Sequence, residues 1–272
     1  MCSPYSEHNI YTHFPKDPNC EICKLCKTDR AQCRTKVKGA PDDIPEPKAF
    51  ADAITADHKI INADDASKDN DRAALIVQDR WSSWVQGFAC PTKSSEDTVK
   101  AIKRFLGPQT KCKYIYTDNS EELKAASREL GIDHDKSRPH RPQTNGVAER
   151  AVRRVKEGTS CALVQSGWNE AYWPEAMNCF CFLRNAVDTL VDGQTAWEKR
   201  FGRPFKGKIL PFGCEINYKP ISDKDVSKTH QFGAKMLPGI FMGYKQKTGR
   251  GWTGDVFICD SAEIQNAKRF FE

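Results

Sequence analysis

No run in this 272-residue chain is long and apolar enough to suggest a membrane span. The N-terminus lacks the basic-then-apolar pattern of a signal peptide. Together these absences lead us to expect an intracellular protein, in the cytoplasm or nucleus, with no membrane partner. No convincing internal repeat is evident. Acid is scarce in one place. From Lys136 to Lys156, Glu149 stands alone among Lys136, Arg138, Arg141, Arg150, Arg153, Arg154 and Lys156. The net charge of +6 is modest, so it is this clustering that favours a polyanionic partner. Any one of those charges, taken singly, suits a solvated face equally well.

What is present supports a folded protein. Hydrophobic residues make up 39% of the chain and aromatics 10%, enough to build a core. Twelve cysteines in a chain without export signals read as thiols or metal ligands rather than disulfides. Cys112, Cys161, Cys179, Cys181, Cys214 and Cys259 lie mostly beside apolar residues and read as small core fillers.

The organisation changes along the chain. Residues 1–38 are polar and Cys-rich, and GAPDDIPEPK (39–48) reads as a linker. An α/β core is expected over 49–190, with a helix end and a small β-rich module over 191–272. Strands are expected around Ile54 to Ile60, in RAALIVQD, in WVQGFAC, in KYIYTD and at Ile132 to His134. SSEDTVKAIKRFLG and SEELKAASREL carry helical periodicity, with acidic starts and glycine stops. TNGVAERAVRRVKEGTSCALVQSG predicts a long helix with a weak point near Gly158, and EAYWPEAMNCFCFLRNAV another with Pro174 in its first turn. Trp81 and Trp84, between two strands, are expected to pack rather than stack on bases.

Three acids stand out. Asp57 falls in the first strand, Asp118 ends YIYTD, and Glu149 follows 31 positions later near a helix start. If the two strands are neighbours, the carboxylates converge at one end of the sheet and can hold a pair of divalent ions, with Mg²⁺ suited to such oxygen ligands. Composition alone leaves rivals for the first position in Asp52, Asp64, Asp65, Asp69 and Asp71. Singly, Asp118 suits a turn or helix cap and Glu149 a salt-bridging helix face.

ADH around Asp57, YTDNSEE around Asp118 and above all RPHRPQTNGVAER around Glu149 resemble the integrase of long-terminal-repeat retroelements, most closely the copia-like transposons. The resemblance runs over almost the whole chain. It implies a ribonuclease H-like core, a mixed five-stranded sheet with flanking helices, in which Asp57, Asp118 and Glu149 bind Mg²⁺ or Mn²⁺. It also implies 3′-end processing and strand transfer on double-stranded DNA, at element ends and in the target, by a homo-oligomer. The interval between Asp118 and Glu149 is shorter than the family's usual one, and Ser120 stands where many relatives carry Gly.

Asn145, Glu149, Arg153 and Lys156 recur at spacings of four, four and three, and so share one helix face. That face looks like the DNA-end-contacting face of related integrases. Arg150 and Arg154 form a neighbouring stripe, and His140 and Arg141 precede it as flank contacts. At the other end of the chain, His8, His13, Cys20 and Cys23 can make a tetrahedral two-His, two-Cys zinc site, with Cys2, Cys26 and Cys33 as substitute ligands. The cluster resembles the tail of the integrase His-His-Cys-Cys domain.

The expected function is therefore a metal-dependent polynucleotidyl transferase that performs DNA integration. A nuclease that cleaves without joining and a decayed DNA-binding remnant are the alternatives. Met1 lies just before the Cys/His cluster and Glu272 follows no evident terminal domain, so a fragment of a larger polyprotein, with partners among its other products, is expected.

Overall fold

The computed structural model describes residues 8–27, 46–118, 120–136, 146–249 and 251–261. Its core is a five-stranded sheet of β1 (Ala53–Ile60), β2 (Ala73–Asp79), β3 (Val85–Cys90), β4 (Tyr114–Thr117) and β5 (Asp133–Lys136), in the order β3-β2-β1-β4-β5. β1, β2 and β3 form an antiparallel meander, while β4 and β5 run parallel to β1. This is the mixed five-stranded sheet with flanking helices expected from the sequence. Helices cover both faces, so β2 is buried along its whole length and its AALIVQD reads as a nearly continuous apolar run.

Local chemistry sets the helices. α2 (Ser95–Leu106) begins where the Ser94 side chain accepts from Asp97 N, and it turns out at Gly107, whose φ of 83° disfavours a side chain. α3 (Glu121–Leu130) ends at Gly131 in the left-handed region. α4 (Gly146–Ser166) packs against β1, β2 and α5 (Trp173–Val187), whose Pro174 sits in the first turn. The weak point expected at Gly158 is absent, and α4 runs through it unbroken. The glycine is there for contact, because any Cβ on it would overlap the Phe180 ring of α5. It lets the two helices approach closely.

α6 (Ala196–Phe201) carries a full capping box between Thr195 and Glu198. Beyond it, β6 (Glu215–Tyr218), β7 (Leu237–Lys247) and β8 (Gly251–Asp260) form an antiparallel sheet. It is joined to α5 by an aromatic cluster in which Phe182 stacks on Tyr244 at 3.9 Å and Trp197, Phe205 and Trp252 close around them. Trp84 is 1% exposed, between Trp197, Phe201 and the Arg200 guanidinium, which fits the packing role expected of it. Cys112, Cys161, Cys179 and Cys181 are buried, and Cys214 and Cys259 are half-buried. Among the described residues no helix is long and apolar enough to cross a membrane.

Candidate metal and nucleic-acid site

The parallel ladder between β1 and β4 pairs Ala53 with Tyr114 and proceeds to Ala56 with Thr117. One step further brings Asp57 level with Asp118, with both side chains on the same side of the sheet. That side is covered by α4, which carries Glu149 in its first turn. The sheet register sets Asp57 beside Asp118, and Glu149 in the first turn of α4 is near enough for its charge to act on Asp57, although the three do not converge as one ligand group. His58, the next residue on β1, points the other way and meets Thr98 Oγ1 of α2 at 3.2 Å.

The electrostatics record this proximity. Burial first, then the Asp118 and Glu149 charges, push the Asp57 carboxyl up to about 6, against the His58 N–H that donates to its Oδ1 at 2.7 Å and the more distant Lys93. Asp118 Oδ1 accepts from Ser120 N at 3.1 Å, a turn contact just ahead of α3 rather than a helix cap. Glu149 is exposed. A site with three carboxylates and one nearby lysine has an excess of negative charge, and oxygen ligands suit Mg²⁺ or Mn²⁺. The rivals stand apart. Asp52 accepts from the Lys48 and Ala49 N–H groups and pairs with Lys113, and Asp64, Asp65, Asp69 and Asp71 lie in or beyond the one-turn helix after β1. Lys93 carried no signal in the sequence. It is placed here only by the loop before α2, where it also pairs with Glu122 at 3.5 Å.

Along α4, Arg153 and Lys156 are exposed, like Glu149. Arg153 Nε holds Glu157 at 2.7 Å. Arg150 is exposed, whereas Arg154 is half-buried and lies near Arg184 and Asp188 of the α5 end. The stripe expected from Arg150 and Arg154 thus borders a cavity rather than open solvent along its whole length. Asn145, His140 and Arg141 lie outside the described residues, as do Cys2 and Cys33.

The N-terminal ligands converge. The ligand atoms of His8, His13, Cys20 and Cys23 all lie within 4.8 Å of one another, the one such group among the described residues. Cys20 caps and Cys23 belongs to α1 (Glu21–Cys26). His8 Nδ1 donates to Pro15 O at 2.8 Å, which leaves its buried Nε2 without a partner, as a ligand nitrogen requires. His13 places Nδ1 3.5 Å from Cys20 Sγ and 3.9 Å from Cys23 Sγ, while its Nε2 meets Gln165 Oε1 of α4 at 3.2 Å. Burial raises the Cys23 thiol and lowers His13. Two nitrogens and two sulfurs in this arrangement fit Zn²⁺. Cys26 faces Cys161 of α4 instead. Gln165 escaped the sequence reading because nothing marks a second partner of a histidine from a distance.

No family model matches the chain. It is 31% identical over 188 residues to the retrovirus-related Pol polyprotein from transposon RE2 of Arabidopsis thaliana, and 29% over 188 residues to that from transposon RE1 of the same plant. Each match takes in 65% of this chain and 12% of the relative. The corresponding polyprotein from transposon TNT 1-94 of Nicotiana tabacum is 28% identical over 159 residues, covering 49% of this chain and 10% of that protein. The chain therefore spans about an eighth of the Arabidopsis relatives' length. Among solved structures, the BIV integrase catalytic core domain covers 54% of this chain and 92% of its own, with a TM-score of 0.41 and 18% identity. The HTLV-2 integrase catalytic core domain in complex with magnesium covers 56% and 97%, with a TM-score of 0.43 and 18% identity. The chain is thus similar, over 65% of its length, to the retrovirus-related Pol polyproteins of plant transposons.

Proposed function

We propose that this chain is the integrase portion of a retroelement polyprotein, a polynucleotidyl transferase that trims the 3′ ends of element DNA and joins them to target DNA. The observation that carries the reading is that the Asp118 and Glu149 charges add to burial in raising the Asp57 carboxyl to about 6, so the three acids share one electrostatic environment. Asp57, Asp118 and Glu149 would hold Mg²⁺ or Mn²⁺. Divalent ions bound by such carboxylates activate a hydroxyl nucleophile and stabilise the leaving oxygen.

The chain's own residues supply the rest. Glu149 projects from the exposed side of α4 with Arg153 and Lys156 further along it, so a phosphate backbone lying along the helix brings a phosphodiester to the acids. In the first reaction water attacks phosphorus and a 3′-hydroxyl is freed. In the second that hydroxyl attacks a target phosphodiester, so one P–O bond forms as another breaks and no nucleotide cofactor is consumed. Joining two ends calls for more than one copy of the chain, which favours a homo-oligomer working in the nucleus on genomic DNA. His8, His13, Cys20 and Cys23 would hold Zn²⁺ as a structural ion that fixes the N-terminal segment against α4.

The test is metal-dependent joining of a labelled element-end duplex to plasmid DNA, with Asp118→Asn and Glu149→Gln beside the natural sequence. Covalent joined product from the natural sequence alone supports the reading. Cleavage without joining favours a nuclease, and DNA binding without turnover favours a decayed remnant.

A further inference from the structure

The side of α4 that carries Arg150 and Arg154 faces a cavity of about 320 Å³, closed by the end of α5, the β2–β3 turn and Phe14 of the N-terminal segment. Three guanidinium groups line it, from Arg150, Arg154 and Arg184. Arg184 is only 5% exposed, and its Nη1 has no hydrogen-bond partner among the described residues. Its Nε lies 3.3 Å from Asp188 Oδ2, an ion contact without hydrogen-bond geometry, since both atoms remain without hydrogen-bond partners.

The local charge is out of balance. Asp188 is the acid beside Arg184, and its other oxygen is already engaged by Thr12 Oγ1 at 2.6 Å and Asn9 Nδ2 at 3.4 Å. Glu157, the other acid near Arg154, is held by Arg153 at 2.7 Å. Lys27 adds a further positive charge on the Asp188 side. Burial and then the neighbouring Arg184 push the Arg154 guanidinium below its ordinary range, as expected of cations crowded together without enough counter-charge. Buried guanidinium donors left without hydrogen bonds are costly, so a complementary anion stabilises this arrangement.

We propose that this cavity is a phosphate-binding site, in which Arg150, Arg154 and Arg184 grip the oxygens of one phosphate or diphosphate group. Guanidinium forks match phosphate geometry, and three of them converging from two helices give direction as well as charge. Gln78 and Ser83 line the same cavity and add neutral donors. The phosphate belongs either to a DNA backbone or to a free phosphate compound. The site stands without the transferase reading, because it uses none of the three acids.

The test uses the full chain in magnesium-free buffer at constant ionic strength, titrated calorimetrically with inorganic pyrophosphate. Saturable binding is expected, weakened at least about tenfold by Arg154→Gln and by Arg150→Gln, the loss of about one charge-assisted contact. These two positions lie nearer the rim. Arg184→Met removes the deepest group, and circular dichroism and a melting curve establish whether each variant is folded. No binding to the natural sequence, or equal affinity in the folded Arg150→Gln and Arg154→Gln variants, overturns the proposal. A short DNA duplex then separates the sources. Competition with pyrophosphate, lost in step in Arg154→Gln, assigns the site to a backbone phosphate, whereas pyrophosphate binding undisturbed by duplex assigns it to a free phosphate compound.

Discussion

Asp57 of β1 and Asp118 at the end of β4 stand level across a parallel ladder, one step beyond the Ala56–Thr117 pair. Two acids so placed, with Glu149 nearby, repel one another until a proton or a cation intervenes. Burial, and then the Asp118 and Glu149 charges, favour the protonated form of Asp57 and push its carboxyl up to about 6 from the ordinary 3.8.

A pH dependence follows. Between about pH 4 and pH 6 the folded chain holds a proton on Asp57 that the unfolded chain has released, so stability falls as pH rises through that window and stays low above it. Asp57→Asn removes this fall and raises the melting temperature of the metal-free protein at pH 7. Melting curves from pH 4 to pH 8 check it. Added Mg²⁺ at pH 7 raises the melting temperature of the natural sequence and leaves that of Asp57→Asn nearly unchanged.

Gln165 holds Nε2 of His13 and so leaves Nδ1 for the ligand role beside Cys20 and Cys23. Gln165→Leu is expected to weaken zinc retention by about 10–100-fold without touching a ligand. Competition against a chromophoric chelator measures it. Retention equal to that of the natural sequence would show that the contact does not orient the histidine.

Gly158 is the point where α4 meets the Phe180 ring of α5. Gly158→Ala improves intrinsic helix propensity by about 1 kcal/mol on an isolated helix, yet here it is expected to destabilise the fold by about 1–3 kcal/mol through overpacking. Urea unfolding decides the sign. A stabilised variant would mean that the helices part at little cost.

Much of the core was legible because its signals are local. The apolar run of β2, the Ser94 cap of α2 and the Gly131 stop of α3 each act within a few residues. The motif around Glu149 marked the helix, and the strand position of Asp57 and Asp118 made their convergence conditional on the strands being neighbours, which they are. What escaped depends on distant segments. Gly158 read as a break because its partner Phe180 lies on another helix. Arg154 read as part of a surface stripe because Arg184 and Asp188, which draw it inward, lie 30 or more residues away. Lys93 and Gln165 have ordinary local contexts and acquire roles only from what the fold sets beside them.

The central claim is that Asp57, Asp118 and Glu149 together support phosphodiester transfer. Joining of a labelled element-end duplex to plasmid DNA in Mg²⁺ or Mn²⁺ tests it most directly. The account predicts covalent branched product from the natural sequence and at least about a hundredfold less from Asp118→Asn and from Glu149→Gln, the scale expected when a group that stabilises transition-state charge is removed. Joining that persists undiminished in either variant would contradict it, as would a folded, DNA-binding natural chain that turns over in neither metal.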